Sequence, residues 1–406
     1  MTCWLPRACA TRRVCLHWPS DQHMAAAMTE REAWLALASV TGVGETIFWA
    51  LIAAHGGAAD ALRAVASGWK PRDDESRIIR STRLAISEAF RDPGAVAKRV
   101  AALDLWTVTP LDPGYPPRLR DIDPPPAVIF GWGDRACLTA ERTVAVVGTR
   151  RPTLNGRQMA ARIATRLVEA GAVVVSGLAI GIDGAAHAAT VSAGGLTVAV
   201  IGGGHSHPGP GAHRGLARTI VDTGGAVISE LAPDKMPSQG TFPRRNRIIS
   251  ALGDTTIVVE APARSGALIT ARHALEQGRS VLAVPGRPGD PSVAGCLSLL
   301  RDTPARPLTG LDEMIVDLGY DTAPAGSAST TRLSLAAALA LLGPAERAVA
   351  GRLVQGPAAA DALVAATGLT PPVVSGAITL LLLRGWIAAM GPAYLPAGPL
   401  LSADLR

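Results

Sequence analysis

Residues 239–252 concentrate the side chains in this sequence that are best suited to bind a polyanion. They read QGTFPRRNRIISAL and include Phe242, Arg244, Arg245, Asn246 and Arg247. An aromatic ring can stack on any base, and a planar guanidinium group can bind a phosphate through two parallel hydrogen bonds. The run therefore predicts binding of a nucleic-acid strand with unstacked bases. The alternative, which the run alone leaves open, is that Phe242 fills a core and the arginines form a solvated face.

The sequence around this run supports the first interpretation. Pro243 suits the first position of a helix, which would place the arginines in a first turn whose free N–H groups favour an anion. Between Arg142 and Gly310, Phe242 is the only Phe, Trp or Tyr. The same segment holds 18 Lys and Arg against 10 Asp and Glu, whereas the 406-residue chain has a net charge of +6. Positive charge is thus concentrated around the run, as a polyanionic partner requires.

Apolar strands alternate with helices from Thr143 to Gly286. The predicted strands are 144–148, 172–177, 197–203, 226–230, 255–261 and 280–286, and the predicted helices lie near 155–170, 183–193, 212–223, 244–252 and 267–277. Continuously apolar strands separated by helices indicate a parallel sheet covered on both faces. Because such crossovers are right-handed, we expect an α/β fold with a Rossmann-like, doubly wound parallel sheet.

Small and polar residues follow the predicted strands. Gly148, Thr149 and Arg150 follow the first strand, and Ser176 and Gly177 end the second. Open α/β sheets bind ligands at this edge, and glycine lets the backbone approach a phosphate closely. The glycine patterns that bind dinucleotides, or that bind ATP for hydrolysis, are both missing from the sequence. The edge therefore predicts an anion site without a cofactor.

The flanking segments predict further domains. We divide the chain into an extension that is either disordered or a wrongly assigned start, a helical SAM-like domain, the Rossmann-like core, a linker and a winged-helix-like domain. These are residues 1–28, 29–111, 112–310, 311–335 and 336–406. Met24 and Met28 are the candidate starts after the extension.

Both flanking domains carry a motif with two interpretations. The turn at residues 41–44 (TGVG) resembles a helix-hairpin-helix unit, whose amides hold a phosphate, but a purely structural turn is the alternative. The last domain has helix-turn-helix spacing followed by two short strands that could pair as a wing. Its third helix offers only Ser375 and Arg384 as donors, so protein contact or packing is favoured over DNA reading.

Composition narrows the class of protein. The five cysteines form no CxxC pair, which predicts no zinc site and suits a reducing cytoplasm. No apolar run reaches about 18 residues, so no membrane span is expected. Residues 1–28 contain arginines without the apolar stretch of a signal peptide.

Motifs over about 170 contiguous residues resemble the DNA-processing protein A family, DprA/Smf. They are GTRRPT (148–153), SGLAIGIDGAAHAA (176–189), the glycines at 202–204, PGAH (210–213), SEL (229–231), FPRRNRIISAL (242–252) and VVEAPARSGALITARHALEQGRSVLAVPG (258–286). The resemblance implies a non-enzymatic, cytoplasmic protein that binds and protects incoming single-stranded DNA. It also implies that the protein forms a homodimer and loads the RecA recombinase during natural transformation.

The same resemblance assigns roles to residues at the sheet edge. It implies that the turn formed by Gly148, Thr149 and Arg150 contacts the DNA backbone. Phe242, Arg244, Arg245, Asn246 and Arg247 would lie along the same groove, with Ser176 and Gly177 shaping its floor. A structural salt bridge from Arg150 to Glu230 is the alternative for that arginine.

An enzyme is the strongest alternative function. Asp183 and His187 lie four residues apart on one predicted helix, and Glu230 and Glu260 end strands, so together they could form an acid–base set. A nucleoside-monophosphate hydrolase, or another nucleotide-binding enzyme, would use such residues at the edge of a similar sheet. The P-G-G-x-G-T-x-x-E signature of those hydrolases is missing from the sequence. We therefore expect Asp183 to cap its helix, His187 to pack, and no residue to be catalytic.

Overall fold

The computed structural model describes residues 28–69, 78–238, 240–320, 339–340, 342–390, 393–397 and 400. The extension predicted at residues 1–28 lies almost wholly outside these ranges. The chain divides into two compact units, Met1–Pro324 and Ala325–Arg406, which are described separately below.

The first unit begins with small helices that pack around aromatic rings. They are α1 (Glu30–Ser39), α2 (Glu45–His55), α3 (Ala58–Ala66), α4 (Arg80–Arg91) and α5 (Ala95–Ala102). The predicted turn between α1 and α2 is present, with Gly42 at φ +92°, a conformation that glycine adopts without strain. Trp34 packs edge-on against Phe48 and donates from its indole N–H to the carbonyl of Ala127 at 2.6 Å. That bond ties the helices to the segment that leads into the sheet.

In the described part of the chain, nine strands form the sheet of this unit. They are β1 (Trp106–Val108), β2 (Ile129–Gly133), β3 (Thr143–Val147), β4 (Val173–Ser176), β5 (Thr197–Val200), β6 (Ala226–Ser229), β7 (Thr255–Val258), β8 (Ser280–Ala283) and β9 (Arg306–Pro307). Their order is β1-β2-β6-β5-β4-β3-β7-β8-β9. The seven strands from β6 to β9 along this order are parallel. At the β6 edge, β2 pairs antiparallel with β6, and β1 pairs antiparallel with β2.

Helices cover both faces of the sheet, as the sequence predicted. They are the short α6 (Pro117–Arg120), then α7 (Leu154–Glu169), α8 (Ile182–Ser192), α9 (Arg214–Asp222), α10 (Thr241–Leu252), α11 (Gly266–Glu276), α12 (Ala294–Asp302) and α13 (Leu311–Asp317). One apolar cluster joins α7, α8 and α13 to the sheet, and another joins α10, α11 and α12 to it. The strand order reverses at β3 and β7, so the fold is doubly wound with its switch point there.

The start of the predicted linker belongs to the core instead. Residues 311–317 form α13, and Met314 and Ile315 are buried in the cluster with α7 and α8. Leu311 and Ile315 give this stretch the four-residue apolar spacing of a helix, which the mixed composition of the surrounding sequence concealed. The rest of the linker, residues 321–335, lies outside the described residues.

The second unit is a winged helix built from α14 (Pro344–Leu353), α15 (Ala360–Thr367) and α16 (Pro371–Leu383), with strands β10 (Ala358–Ala359), β11 (Ile387–Met390) and β12 (Ala393–Pro396). The predicted wing is confirmed, because β11 and β12 pair antiparallel. Thr370 is the N-cap of α16 and Pro371 its first residue, as predicted. Among the described helices, none is long and apolar enough by itself to cross a bilayer; α15 and α16 meet that criterion only as a pair bent by 115°.

Candidate nucleic-acid interface

A cavity of about 380 Å³ opens at the carboxyl ends of β3 and β7, where the strand order reverses. Its walls come from the turn after β3, the loop before α8, the first turns of α10 and the start of α11. The residues that line it include Gly148, Thr149, Arg150, Arg151, Asp183, Phe242, Pro243, Arg245, Asn246, Arg264, Ser265, Gly266, Ala267 and Thr270. Open α/β sheets bind their ligands at this position, so the cavity is the candidate site.

Glu260, two residues after β7, holds the turn after β3 in place. Its carbonyl accepts from the backbone N–H of Thr149 at 2.7 Å, and its carboxylate accepts from the backbone N–H and the hydroxyl of Thr153 at 2.9 and 2.6 Å. Gly148 has no room for a side chain, because a Cβ there would lie 2.5 Å from Ile182. These contacts fix the turn backbone and leave Arg150 exposed at the cavity.

Phe242 and Arg150 form a cation–π pair at the cavity. The guanidinium carbon of Arg150 lies 5.1 Å from the centre of the Phe242 ring. The ring is half-buried and packs against Gly202, where a Cβ would come within 2.7 Å of it. Within the described residues, no carboxylate lies within 4 Å of the Arg150 guanidinium group. The alternative salt bridge to Glu230 is therefore wrong.

Helix α10 begins earlier than predicted, at Thr241, with Gly240 as its N-cap. Pro243 is consequently its third residue rather than its first. The ring is tolerated there because the first four N–H groups of a helix have no partner within it. The early start places Phe242 in the first turn, next to the cavity.

Arg245 is a structural residue. It is 5% exposed, and its guanidinium group donates to the carbonyls of Gly177, at 2.7 Å, and Val200. Burial lowers its pKa to about 10, against the opposing effect of Asp183. Burial likewise raises the pKa of Asp183, which Arg245 counteracts. With its guanidinium group bound to the interior, Arg245 supports the floor of the cavity and is not a phosphate ligand, contrary to the prediction.

The two predicted floor residues have unequal roles. The Ser176 hydroxyl is completely buried and donates to the carbonyl of Val146 at 2.6 Å, so it does not line the cavity. Gly177 donates its N–H to Asp183 at 3.2 Å, and a Cβ at this position would lie 2.7 Å from that carboxylate. Gly177 therefore shapes the floor indirectly, by allowing Asp183 and Arg245 to approach.

Arg244 and Arg247 lie on the other side of α10, where they meet two carboxylates instead of the cavity. Arg247 contacts Glu230 at 2.5 Å and donates to the carbonyl of Pro124 at 3.0 Å. Arg244 pairs with Glu45 of α2. Burial and the neighbouring Glu45 raise the pKa of Glu230 to about 7, although Arg247 opposes this effect. Neither arginine lines the cavity beside Arg150.

The cavity has two further cationic residues that were not among the predicted site residues. Arg151 and Arg264 are exposed at its edge, and in the described ranges no carboxylate lies within 4 Å of either side chain. Both follow a strand that ends at the switch point, which is the signal that could have identified them. Asn246 also lines the cavity, and its amide donates to the carbonyl of Gly266 at 3.3 Å, joining α10 to α11.

The acidic residues of the enzymatic alternative do not form one site. Asp183 accepts from Gly177, Glu260 holds Thr153, and Glu230 pairs with Arg247 on the far side of α10. Asp183 is not the N-cap of α8, which is Gly181, but binds the loop before the helix. In the part of the chain that the structure describes, no group of three or more His, Cys, Asp or Glu could hold a metal ion.

The buried side chain of His187 should make the free energy of unfolding fall as the pH becomes acidic. It is fully buried, and its Nδ1 lies 2.8 Å from the Thr197 hydroxyl. Burial, with smaller effects from His213 and Arg245, lowers its pKa to about 3. Unfolded histidine takes up its proton near pH 6.5, so between these values the unfolded state binds more protons. The free energy of unfolding should therefore fall by about 1.4 kcal/mol for each pH unit that the pH drops.

His187→Gln removes this titration and should give a shallower decline of stability between pH 6 and pH 4. Urea unfolding of both proteins at three pH values in this range measures the two slopes. Equal slopes would mean that the folded state takes up the proton.

Residues 106–319 match the family model of DNA recombination-mediator protein A, and residues 334–391 match that of the DprA winged helix domain. The DNA processing protein DprA of Bacillus subtilis is 44% identical over 187 residues, which are 46% of this chain and 63% of that protein. Protein Smf of Escherichia coli is 35% identical over 275 residues, or 66% of this chain and 70% of that protein. The match thus spans slightly less than two thirds of the Bacillus protein.

A solved structure gives the same likeness in three dimensions. The DNA processing protein A of Streptococcus pneumoniae superposes with a TM-score of 0.59 at 31% sequence identity, covering 71% of this chain and 98% of that one.

Proposed function

Because this chain belongs to the DNA recombination-mediator protein A family, DprA/Smf, we propose that it binds single-stranded DNA in the cavity at the switch point. The observation that carries the proposal is the Arg150–Phe242 pair, a guanidinium group over a half-buried ring beside further exposed arginines. In the cell the protein would protect incoming DNA and load the RecA recombinase during natural transformation, in the cytoplasm and without catalysis.

Binding begins with an exchange on the Phe242 ring. Gly202 packs against the ring and Arg150 lies over it at 5.1 Å, so an incoming base displaces the guanidinium group and stacks in its place. The released guanidinium group then binds a phosphate of the same strand. Stacking on an aromatic side chain contributes about 1–3 kcal/mol per base and tolerates every base. A duplex keeps its bases stacked inside, so single strands are preferred.

The backbone of the strand is held by charge. Arg151 and Arg264 are exposed at the cavity, and α11 starts there with Ser265 as its N-cap. Phosphates that these groups neutralise release counterions, so affinity falls steeply as salt rises. Dimerisation would join two such cavities on one strand and raise the avidity through effective concentration.

The hydrogen bonds and ion pairs of three carboxylates support a non-catalytic role. Asp183 and Glu260 hold backbone and threonine groups of the cavity wall, and Glu230 is paired with Arg247 away from the cavity. Each of the three thus has a structural partner within the protein. The nucleoside-monophosphate hydrolase remains the competing function, since the cavity has the position of a nucleotide site.

One titration separates these functions. The purified protein is titrated with labelled single-stranded and double-stranded oligonucleotides at two salt concentrations, while release of base from nucleoside monophosphates is followed in the same samples. We expect tighter, salt-sensitive binding of single strands and no release of base. Base release without DNA binding would overturn the proposal and make Asp183 and Glu260 the residues to replace.

Arg150→Gln should weaken single-strand binding and reduce the slope of log affinity against log salt by about 0.7, the contribution of one phosphate on a single strand. The measurement is the same titration at four or more salt concentrations. Arg135→Gln is the matched control. Arg135 is exposed and follows β2, at the amino ends of the parallel strands, so it lies at the edge of the sheet opposite the cavity. A slope that Arg150→Gln leaves unchanged would remove this arginine from the phosphate contacts.

A further inference from the structure

On the face of α10 that points away from the cavity, two neighbouring arginines are held to different degrees. Arg247 has a 14% exposed side chain and contacts both Glu230 and the Pro124 carbonyl. Arg244 has a 43% exposed side chain and pairs with Glu45, while Glu230 is 4.0 Å from it. Arg247 is thus fixed in the protein interior. Arg244, whose side chain is largely at the surface, can exchange one anionic partner for another with little change in its buried surface.

The partner of Arg244 comes from a different part of the unit. Glu45 is the first residue of α2, in the helical segment, and its side chain is 14% exposed. Its carboxylate also lies 3.5 Å from Arg247, so Glu45 and Glu230 together balance the charges of the two arginines. Without Glu45 this face of α10 would carry one uncompensated positive charge.

Arg244 is also close to the proposed path of the DNA. It follows Phe242 by two residues and therefore points about 200° away from it around the helix, but it stays at the same edge of the sheet. Arg244 lies 4.0 Å from Glu230, directly after β6, and the Phe242 ring packs on Gly202 after the neighbouring strand β5. A strand with one base on Phe242 therefore passes within reach of this long side chain. A phosphate that binds Arg244 has to replace the Glu45 carboxylate, since both ligands are anions that need the same donors.

We propose that Glu45 is a built-in competitor of DNA phosphate at Arg244, through which the helical segment lowers the affinity of the interface for single strands. This inference rests on the proposed function, because it needs DNA at Phe242. Under this proposal, α1 and α2 (residues 30–55) make a regulatory contact with α10, the helix that carries Phe242. The contact makes affinity depend on whether α2 stays against α10.

Glu45→Gln in the full-length protein tests the competition. Single-strand affinity should rise about threefold at low salt, the scale of one partly exposed ion pair, and the salt slope should steepen by about 0.7 as one more phosphate is bound. In an Arg244→Gln background the same substitution should have no effect. Asp60→Asn is the matched control, because it removes one exposed negative charge from the same helical segment, where Asp60 pairs with Arg63.

The possible outcomes separate the two proposals. Wild-type protein that fails to bind single strands would overturn the proposed function itself. Wild-type binding that Glu45→Gln leaves unchanged, or changes equally with and without Arg244, would overturn only the competition. If Glu45→Gln does not fold, Glu45→Asp shortens the side chain by one methylene and should raise affinity in the same direction; unchanged affinity in that variant would also overturn the competition.

Discussion

Replacing Arg247 with alanine is expected to lower the free energy of unfolding by about 3–5 kcal/mol. Arg247 is the close partner of Glu230, whose side chain is 4% exposed, and its guanidinium group also satisfies the carbonyl of Pro124. Alanine would leave a buried carboxyl group without its cation, and removing one partner from a buried ion pair is far more costly than replacing both. Arg247 lies away from the cavity, so we expect no direct loss of a phosphate contact.

Urea unfolding followed by circular dichroism measures this change. The control is Arg150→Ala, which removes an exposed arginine that has no carboxylate within 4 Å in the described residues and should change stability by less than about 0.5 kcal/mol. The double substitution Arg247→Met with Glu230→Gln should recover part of the loss, because both charges are then removed. Wild-type stability of Arg247→Ala combined with a flatter salt dependence of DNA binding would identify Arg247 as a phosphate ligand instead.

The doubly wound sheet could be predicted because its signals are local. Strands such as β3 and β4 are buried on both faces and are therefore mostly apolar, and the residues after them are small or polar. Of the two antiparallel strands, β2 is indicated only by the short apolar run at residues 127–130, and β1 gives no comparable signal. β1 has three residues, and β2 contains Gly131 and Gly133, which have low strand propensity. Their place at the edge depends on the pairing of β2 with β6 and of β1 with β2, which no local pattern records.

The roles of the three arginines on α10 could not be separated from the sequence. Arg244, Arg245 and Arg247 have the same chemistry and adjoining positions, yet Arg245 is buried beneath the cavity and the other two meet carboxylates. Which role each has depends on its angle around the helix and on Glu45, about 200 residues earlier in the chain. Burial and pairing of this kind follow from tertiary packing. By contrast, the sequence alone shows that Phe242 is the one aromatic side chain of the segment and so the one candidate for stacking.

Replacing Phe242 with alanine is expected to weaken single-strand binding by about one to two orders of magnitude. The reason is the loss of stacking, which contributes roughly 1–3 kcal/mol per base, where each 1.4 kcal/mol is a factor of ten in affinity. Double-strand binding, which is weaker and depends on charge, should change by less than threefold. A fluorescence anisotropy titration with labelled single and double strands at fixed salt measures both.

Two further substitutions separate stacking from packing. Phe242→Tyr keeps an aromatic face and should bind single strands within about threefold of wild type. Phe242→Leu keeps an apolar side chain against Gly202 but has no π face, so it should fold normally and lose nearly as much affinity as alanine. If the leucine variant binds as well as wild type, the ring serves only to pack against Gly202. The strand would then be held by the arginines alone, and the preference for single strands would need another source than a base stacked at Phe242.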